Sequence, residues 1–112
     1  MDERVEKYLY DVLACVERVE SFFAETPKRF DEFNANVLLK QAVERNIEIM
    51  GEAMNRILKI EPEIRITNAR KIVDARNYII HSYYSLSADI LWSIIINHLP
   101  LLHKELKDIL NV

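Results

Sequence analysis

A chain of 112 residues can bury one core and is too short for two ordinary ones, so residues 1–112 read as a single domain. Half of the residues are apolar and 29% are charged, with one glycine and three prolines; so little turn chemistry points to helices joined by short connections. The net charge of −3 excludes a protein that coats nucleic acid by bulk electrostatics.

The first predicted helix spans residues 3–24. Val5, Tyr8, Leu9, Val12, Leu13, Val16, Val19, Phe22 and Phe23 recur at threes and fours with charges between them, one apolar stripe on an amphipathic helix. Cys15, the only cysteine, lies among these apolar residues and reads as a buried structural thiol. The stretch ETPKRFDEFN breaks the period. A second helix is expected from about Asn34 or Asn36 to Ile60, with Leu39, Ala42, Val43, Ile47, Met50, Met54, Ile57 and Leu58 on its apolar face. Gly51 costs this helix roughly 1 kcal/mol relative to alanine, a cost that close packing against another helix would explain.

KIEPEIRIT reads as a connection. Thr67 or Asn68 is the expected N-cap of a third helix, ARKIVDARNYIIHSYY, which should bury Ile72, Val73, Ala75 and Ile79 or Ile80. Ser85 or Ser87 caps the last helix, and Asp89 suits its positive end. Pro100 should kink or divide that helix. Trp92 beside SIII leaves it apolar around more of its circumference than one buried stripe requires, which suggests a partner surface such as a homodimer. The fold class is therefore all-α, an antiparallel bundle of four to five helices. No apolar stretch approaches the length of a bilayer span and no charged leader precedes an apolar run, so a soluble, cytoplasmic protein is expected.

Two features stand apart from this scaffold. From Arg56 to Arg76 the chain carries +3 while the remainder carries −6, and such a basic window would draw a phosphate-bearing partner. It runs into DARNYIIHSYYS, where Arg76, Asn77, His81 and Tyr83 crowd among isoleucines. Buried polar groups need partners, so this segment is either exposed or functional. Arg76 and His81 are five residues apart, about 140° around a regular helix. To act together they need the helix to end between them, or a second copy of the chain to bring its own pair.

The reading R-N-Y-I-I-H-S-Y, Arg76 to Tyr83, resembles the R-x4-H-x-Y motif of HEPN ribonucleases, and specifically of the HepT-like toxins of toxin–antitoxin pairs. MGEAMNRILKIEPEI and LWSIIINHLPLLHKEL are similar to flanking helices of that family, while RITNA departs from the proline and tryptophan that many relatives carry before the motif helix. The resemblance implies a HEPN-like fold and a metal-independent endoribonuclease without cofactor, working as a homodimer with motifs from both protomers in one cleft. It implies catalytic roles for Arg76 and His81 and a supporting one for Asn77. It also implies a cognate nucleotidyltransferase antitoxin that silences the enzyme by adding AMP to Tyr83. The residue types suit this chemistry: an imidazole exchanges protons near neutral pH, and a guanidinium fork matches a phosphate gathering charge.

Other constellations carry less. His98 and His103 lack the spacing and companions of metal ligands. Glu44, Glu48 and Glu52 align at fours but lack the Glu-x-x-His pairing of di-metal bundles; the first two read as a solvated acidic stripe, and Glu52 as a candidate to face the cleft. Tyr78 and Tyr84 are given no catalytic role. Two other functions fit the same chain: a non-catalytic nucleotide-binding or substrate-recognition partner of a nucleotidyltransferase, and a plain dimeric interaction protein.

Overall fold

The computed structural model describes residues 1–82 and 86–112. Six α-helices follow in order: α1 Glu3–Ser21, α2 Phe30–Ala35, α3 Val37–Ile60, α4 Ala69–Ser82, α5 Ala88–Ser93 and α6 Leu99–Leu110, with a π-helical segment, Ile94–His98, between the last two. No strand occurs among the described residues. The bundle is flat, 42 × 32 × 18 Å.

Asp2 starts α1 by accepting hydrogen bonds from the backbone of Arg4 at 2.8 Å and Val5 at 3.3 Å, which satisfies donors that the helix itself cannot. From there Val5, Leu9, Val12, Leu13, Val16 and Val19 are buried, the stripe their spacing predicts. Cys15 lies on the same side, and burial pushes its thiol above the ordinary range. The helix stops at Ser21, shorter than predicted, and Phe22 and Phe23 leave it half-buried.

The break that follows is not all loop. Phe30–Ala35 closes into one short helix, and its position explains Trp92. The indole lies 6.2 Å from the Phe23 ring, 6.0 Å from Phe30 and 5.2 Å from Phe33, between ring centroids. Such tilted and edge-on pairs favour aromatic clusters over a plain apolar contact. Trp92 therefore packs within its own chain, which corrects its assignment to a partner surface; Ile90 and Ile96 of the same stretch do stand exposed.

Asn36 caps α3, its side chain accepting from the Leu39 amide at 3.0 Å. At 24 residues this is the long central element, with α1 and α4 packed on it. The carbonyl of Asn68 accepts the first bond of α4, from Ile72, while Thr67 gives its amide and hydroxyl to Glu105 of α6. Ser87 caps α5 through the Ile90 amide at 3.3 Å.

Pro100 divides the last helix as expected, in a specific way. A proline cannot donate to the preceding turn and its ring crowds the carbonyl there. The chain widens into π geometry just before it, with the Leu99 amide bonded to the Ile94 carbonyl, and Pro100 then sits in the first turn of α6. No helix of the described residues is long and apolar enough to cross a membrane.

Candidate functional site

The seam between α3 and α4 begins with two buried residues of α4, Ile72 and Val73, and with the one glycine of the chain. A Cβ added at Gly51 would overlap the Cβ of Arg76, and would lie 2.8 Å from its Cγ and 3.0 Å from the Ile72 carbonyl oxygen. Only a residue without a side chain lets α4 come this close. Gly51 thus forms the floor on which the stem of Arg76 rests, which accounts for a glycine in mid-helix.

Pressed onto α3 in this way, the Arg76 guanidinium meets the next residue along, Glu52. Nη2 donates to Glu52 Oε2 at 2.5 Å, and Nη1 donates to Asn77 Oδ1 at 3.0 Å. The side chain keeps 21% of its surface open to solvent. The other oxygen of Glu52 accepts from Arg56 Nε at 3.0 Å. One carboxylate therefore bridges two arginines, the arrangement that best repays fixing long side chains. Arg56 first, then the charges of Arg76, Arg56 and Lys59, hold the Glu52 carboxyl below the usual carboxylate range.

These groups face an open cleft of about 340 Å³ between α1, α3 and α4, lined among others by Tyr8, Arg45, Ile49, Glu52, Arg56, Arg76 and Ile80. The Arg56 guanidinium carbon stands 5.9 Å from the centre of the Tyr8 ring, and Tyr8 and then Glu52 hold that guanidinium above its ordinary value.

His81 has a different setting. The helix continues through it to Ser82, so it is turned about 140° from Arg76 around the α4 axis. Its side chain is exposed, and among the described residues no hydrogen bond or ion pair engages it. Asn77 is brought to Arg76; His81 of the same protomer is not. Tyr83 and Tyr84 lie outside the described residues. The chain re-enters at Leu86, whose amide donates to Glu44 Oε2 at 3.2 Å. Glu44 thus anchors Leu86, which corrects its reading as part of a solvated stripe, while Glu48 pairs with Arg45 at 3.1 Å at the surface.

His103 pairs with Glu17 at 3.2 Å, and His98 is held below its ordinary value by burial and by Lys71. Among the described residues no three His, Cys, Asp or Glu side chains converge as metal ligands. Sequence reasoning missed the parts that Tyr8 and Arg56 play. The four-residue step from Glu52 to Arg56 was a signal available for the second, since it sets the pair on one helix face; the first, from another helix, had none.

Residues 12–109 match the family model described as "Ribonuclease HepT-like". The chain is 30% identical over 105 residues to the Methanocaldococcus jannaschii protein named "Putative RNase MJ1380", covering 92% of this chain and 94% of that one. It is 30% identical over 97 residues to the Thermococcus cleftensis protein named "Probable ribonuclease HepT", covering 83% and 84%. No solved structure gives a significant match.

Proposed function

The chain belongs to the HepT-like ribonuclease family, and on that premise we propose that it is a metal-independent endoribonuclease whose site is completed by a second copy. Arg76 binds the scissile phosphate. His81 takes the proton from the ribose 2′-hydroxyl, whose oxygen then attacks phosphorus; the bond from phosphorus to the 5′-oxygen breaks, and that oxygen leaves with a proton returned by the imidazolium of His81. The products are a 2′,3′-cyclic phosphate and a free 5′-hydroxyl, and DNA, lacking the nucleophile, is inert. Asn77 supports Arg76. The finer reading, a toxin silenced when a nucleotidyltransferase antitoxin adds AMP to Tyr83, follows from the motif: the added phosphate would bring bulk and negative charge to the end of the catalytic helix.

The observation that carries this reading is the setting of Arg76. A guanidinium gripped by Glu52 and Asn77 but open to a cleft is pre-oriented for a phosphate, and pre-orientation is what lets such a donor lower a barrier. The exposed His81, 140° away on an unbroken helix, supports completion in trans. Tyr78, exposed on the same helix, would be covered by a neighbouring copy. Arg65, Arg70 and Lys71, exposed and held in no ion pair among the described residues, would hold flanking phosphates.

The test incubates unmodified protein with RNA in EDTA beside His81→Ala. Cleavage by the parent alone, ending in cyclic phosphate, is expected. Equal inactivity of the two would overturn the proposal in favour of a nucleotide-binding partner of a nucleotidyltransferase.

A further inference from the structure

The phosphate seat at Arg76 does not account for the rest of the cleft. Its volume of about 340 Å³ is that of a small-molecule site, far more than one phosphoryl group needs. Its walls differ in chemistry. Ile49, Ala53 and Ile80 form an apolar side, and Ile80 leaves 40% of its surface uncovered. Opposite in character is Tyr8, whose half-buried ring rests on the core with the Arg56 guanidinium carbon and the Lys7 ammonium over it, 5.9 and 5.8 Å from its centre.

Neither of these groups is loose. The Arg56 guanidinium is fixed by the same carboxylate that fixes Arg76, so a ring with its companion cation and a phosphate-binding cation are held in register through Glu52. The carboxylates of the cleft are engaged as well: Asp11 by Lys7 at 2.8 Å, Glu48 by Arg45 at 3.1 Å, and Glu52 by both arginines. An anion entering the cleft meets guanidinium donors, with the negative charges already paired.

We infer that this cleft is a nucleobase pocket, in which the base next to the scissile phosphate stacks on the Tyr8 ring while its phosphate lies on Arg76. The inference rests on the ribonuclease reading for the place of the phosphate. A planar heteroaromatic ring joined to an anion matches the cleft in both parts. Aromatic rings and guanidinium planes are the surfaces on which proteins stack single-stranded bases, and the apolar side buries the edge and far face of the base. A short aliphatic anion would leave the Tyr8 ring and the Ile80 side chain unused. Tyr8 is thereby a substrate-binding residue from the first helix, far from the motif in sequence.

The experiment titrates AMP, GMP, CMP and UMP, and separately ribose 5-phosphate, into the unmodified protein while the methyl resonances of Ile49, Ala53 and Ile80 are followed. The nucleotides should shift these methyls by the ring current of the base, and ribose 5-phosphate should not. Tyr8→Phe should bind as the parent does, and Tyr8→Leu, which keeps an apolar contact with the core but has no ring, should bind about tenfold more weakly. Nucleotides that move none of the three methyls, ribose 5-phosphate that moves them equally, or Tyr8→Leu binding at parental strength would overturn the inference. The two proposals fail separately. A protein that cleaves RNA but shows no base-dependent shift loses the pocket alone, whereas one that shows the shift without cleaving RNA loses the nuclease and keeps the pocket.

Discussion

Arg76 and His81 are carried by the same helix, yet one is among the most constrained polar side chains of the molecule and the other among the least. Arg76 has a glycine beneath its stem, a carboxylate and an amide on its guanidinium, and most of its surface buried. His81 is exposed and has no partner among the described residues. The contrast teaches where precision resides in this protomer. On the proposed reading, the half that would bind phosphate is built in advance by tertiary contacts, while the half that would transfer protons is left exposed.

The contrast can be broken most directly at its free end. His81→Ala should lower RNA cleavage by about 10²–10⁴, and should leave the unfolding free energy within about 0.5 kcal/mol of the parent, since no described residue bonds to its side chain. If stability fell with activity, His81 would be part of the scaffold and the contrast would vanish.

Gly51→Ala attacks the constrained end without touching substrate. Overpacking against Arg76 Cβ, a rigid atom, should cost about 1–3 kcal/mol. That exceeds the gain in helix propensity, which is at most about 1 kcal/mol. Urea unfolding should show the net loss, and cleavage should fall because α4 and Arg76 are pushed off α3. An active, more stable Gly51→Ala would show that the close approach is not required.

Glu52→Gln keeps the shape of the side chain and removes the charge that orients Arg76. Cleavage should fall by about tenfold, with kcat moving more than KM because the donor is misaligned and not absent. The parent should also depend on pH through this group. Its folded pKa is depressed, so the clamp is intact above the ordinary carboxylate value near 4.3 and is lost as pH falls through the lower folded value; a pH profile of Glu52→Gln should lack that limb.

The smallest effect lies away from the site. His98 has a lowered folded pKa, through burial and then Lys71, so it opposes its own protonation. Its contribution to stability is full above its ordinary value near 6.5 and is lost as pH falls through the lower folded value. Melting temperatures between pH 7.5 and 5.5 should decline less steeply for His98→Asn than for the parent.

Much of this was readable in one dimension. Apolar periodicity located α1, α3 and α4, because burial of one face imposes a 3.6-residue rhythm on any amphipathic helix. The helix starts could be narrowed to Asn34 or Asn36 and to Ser85 or Ser87, because short polar side chains satisfy amides that a helix start leaves unpaired; the structure shows Asn36 and Ser87 in that role. Pro100 announced a break because proline cannot complete the ladder. The motif residues were legible as types, and the lone glycine as an anomaly that asked for a close neighbour.

Tertiary structure alone decided who that neighbour is. Nothing local links Gly51 and Glu52 to Arg76, 24 residues further on, or Tyr8 to Arg56. Trp92 shows the same limit from the other side. Its apolar surroundings could be counted, but whether they meet solvent, another chain, or the phenyl groups of α2 depends on where a loop folds back. Periodicity records which face of a helix is buried, since every turn contributes to it. The identity of the group on the other side is a fact about two distant segments at once, and only their packing in space can supply it.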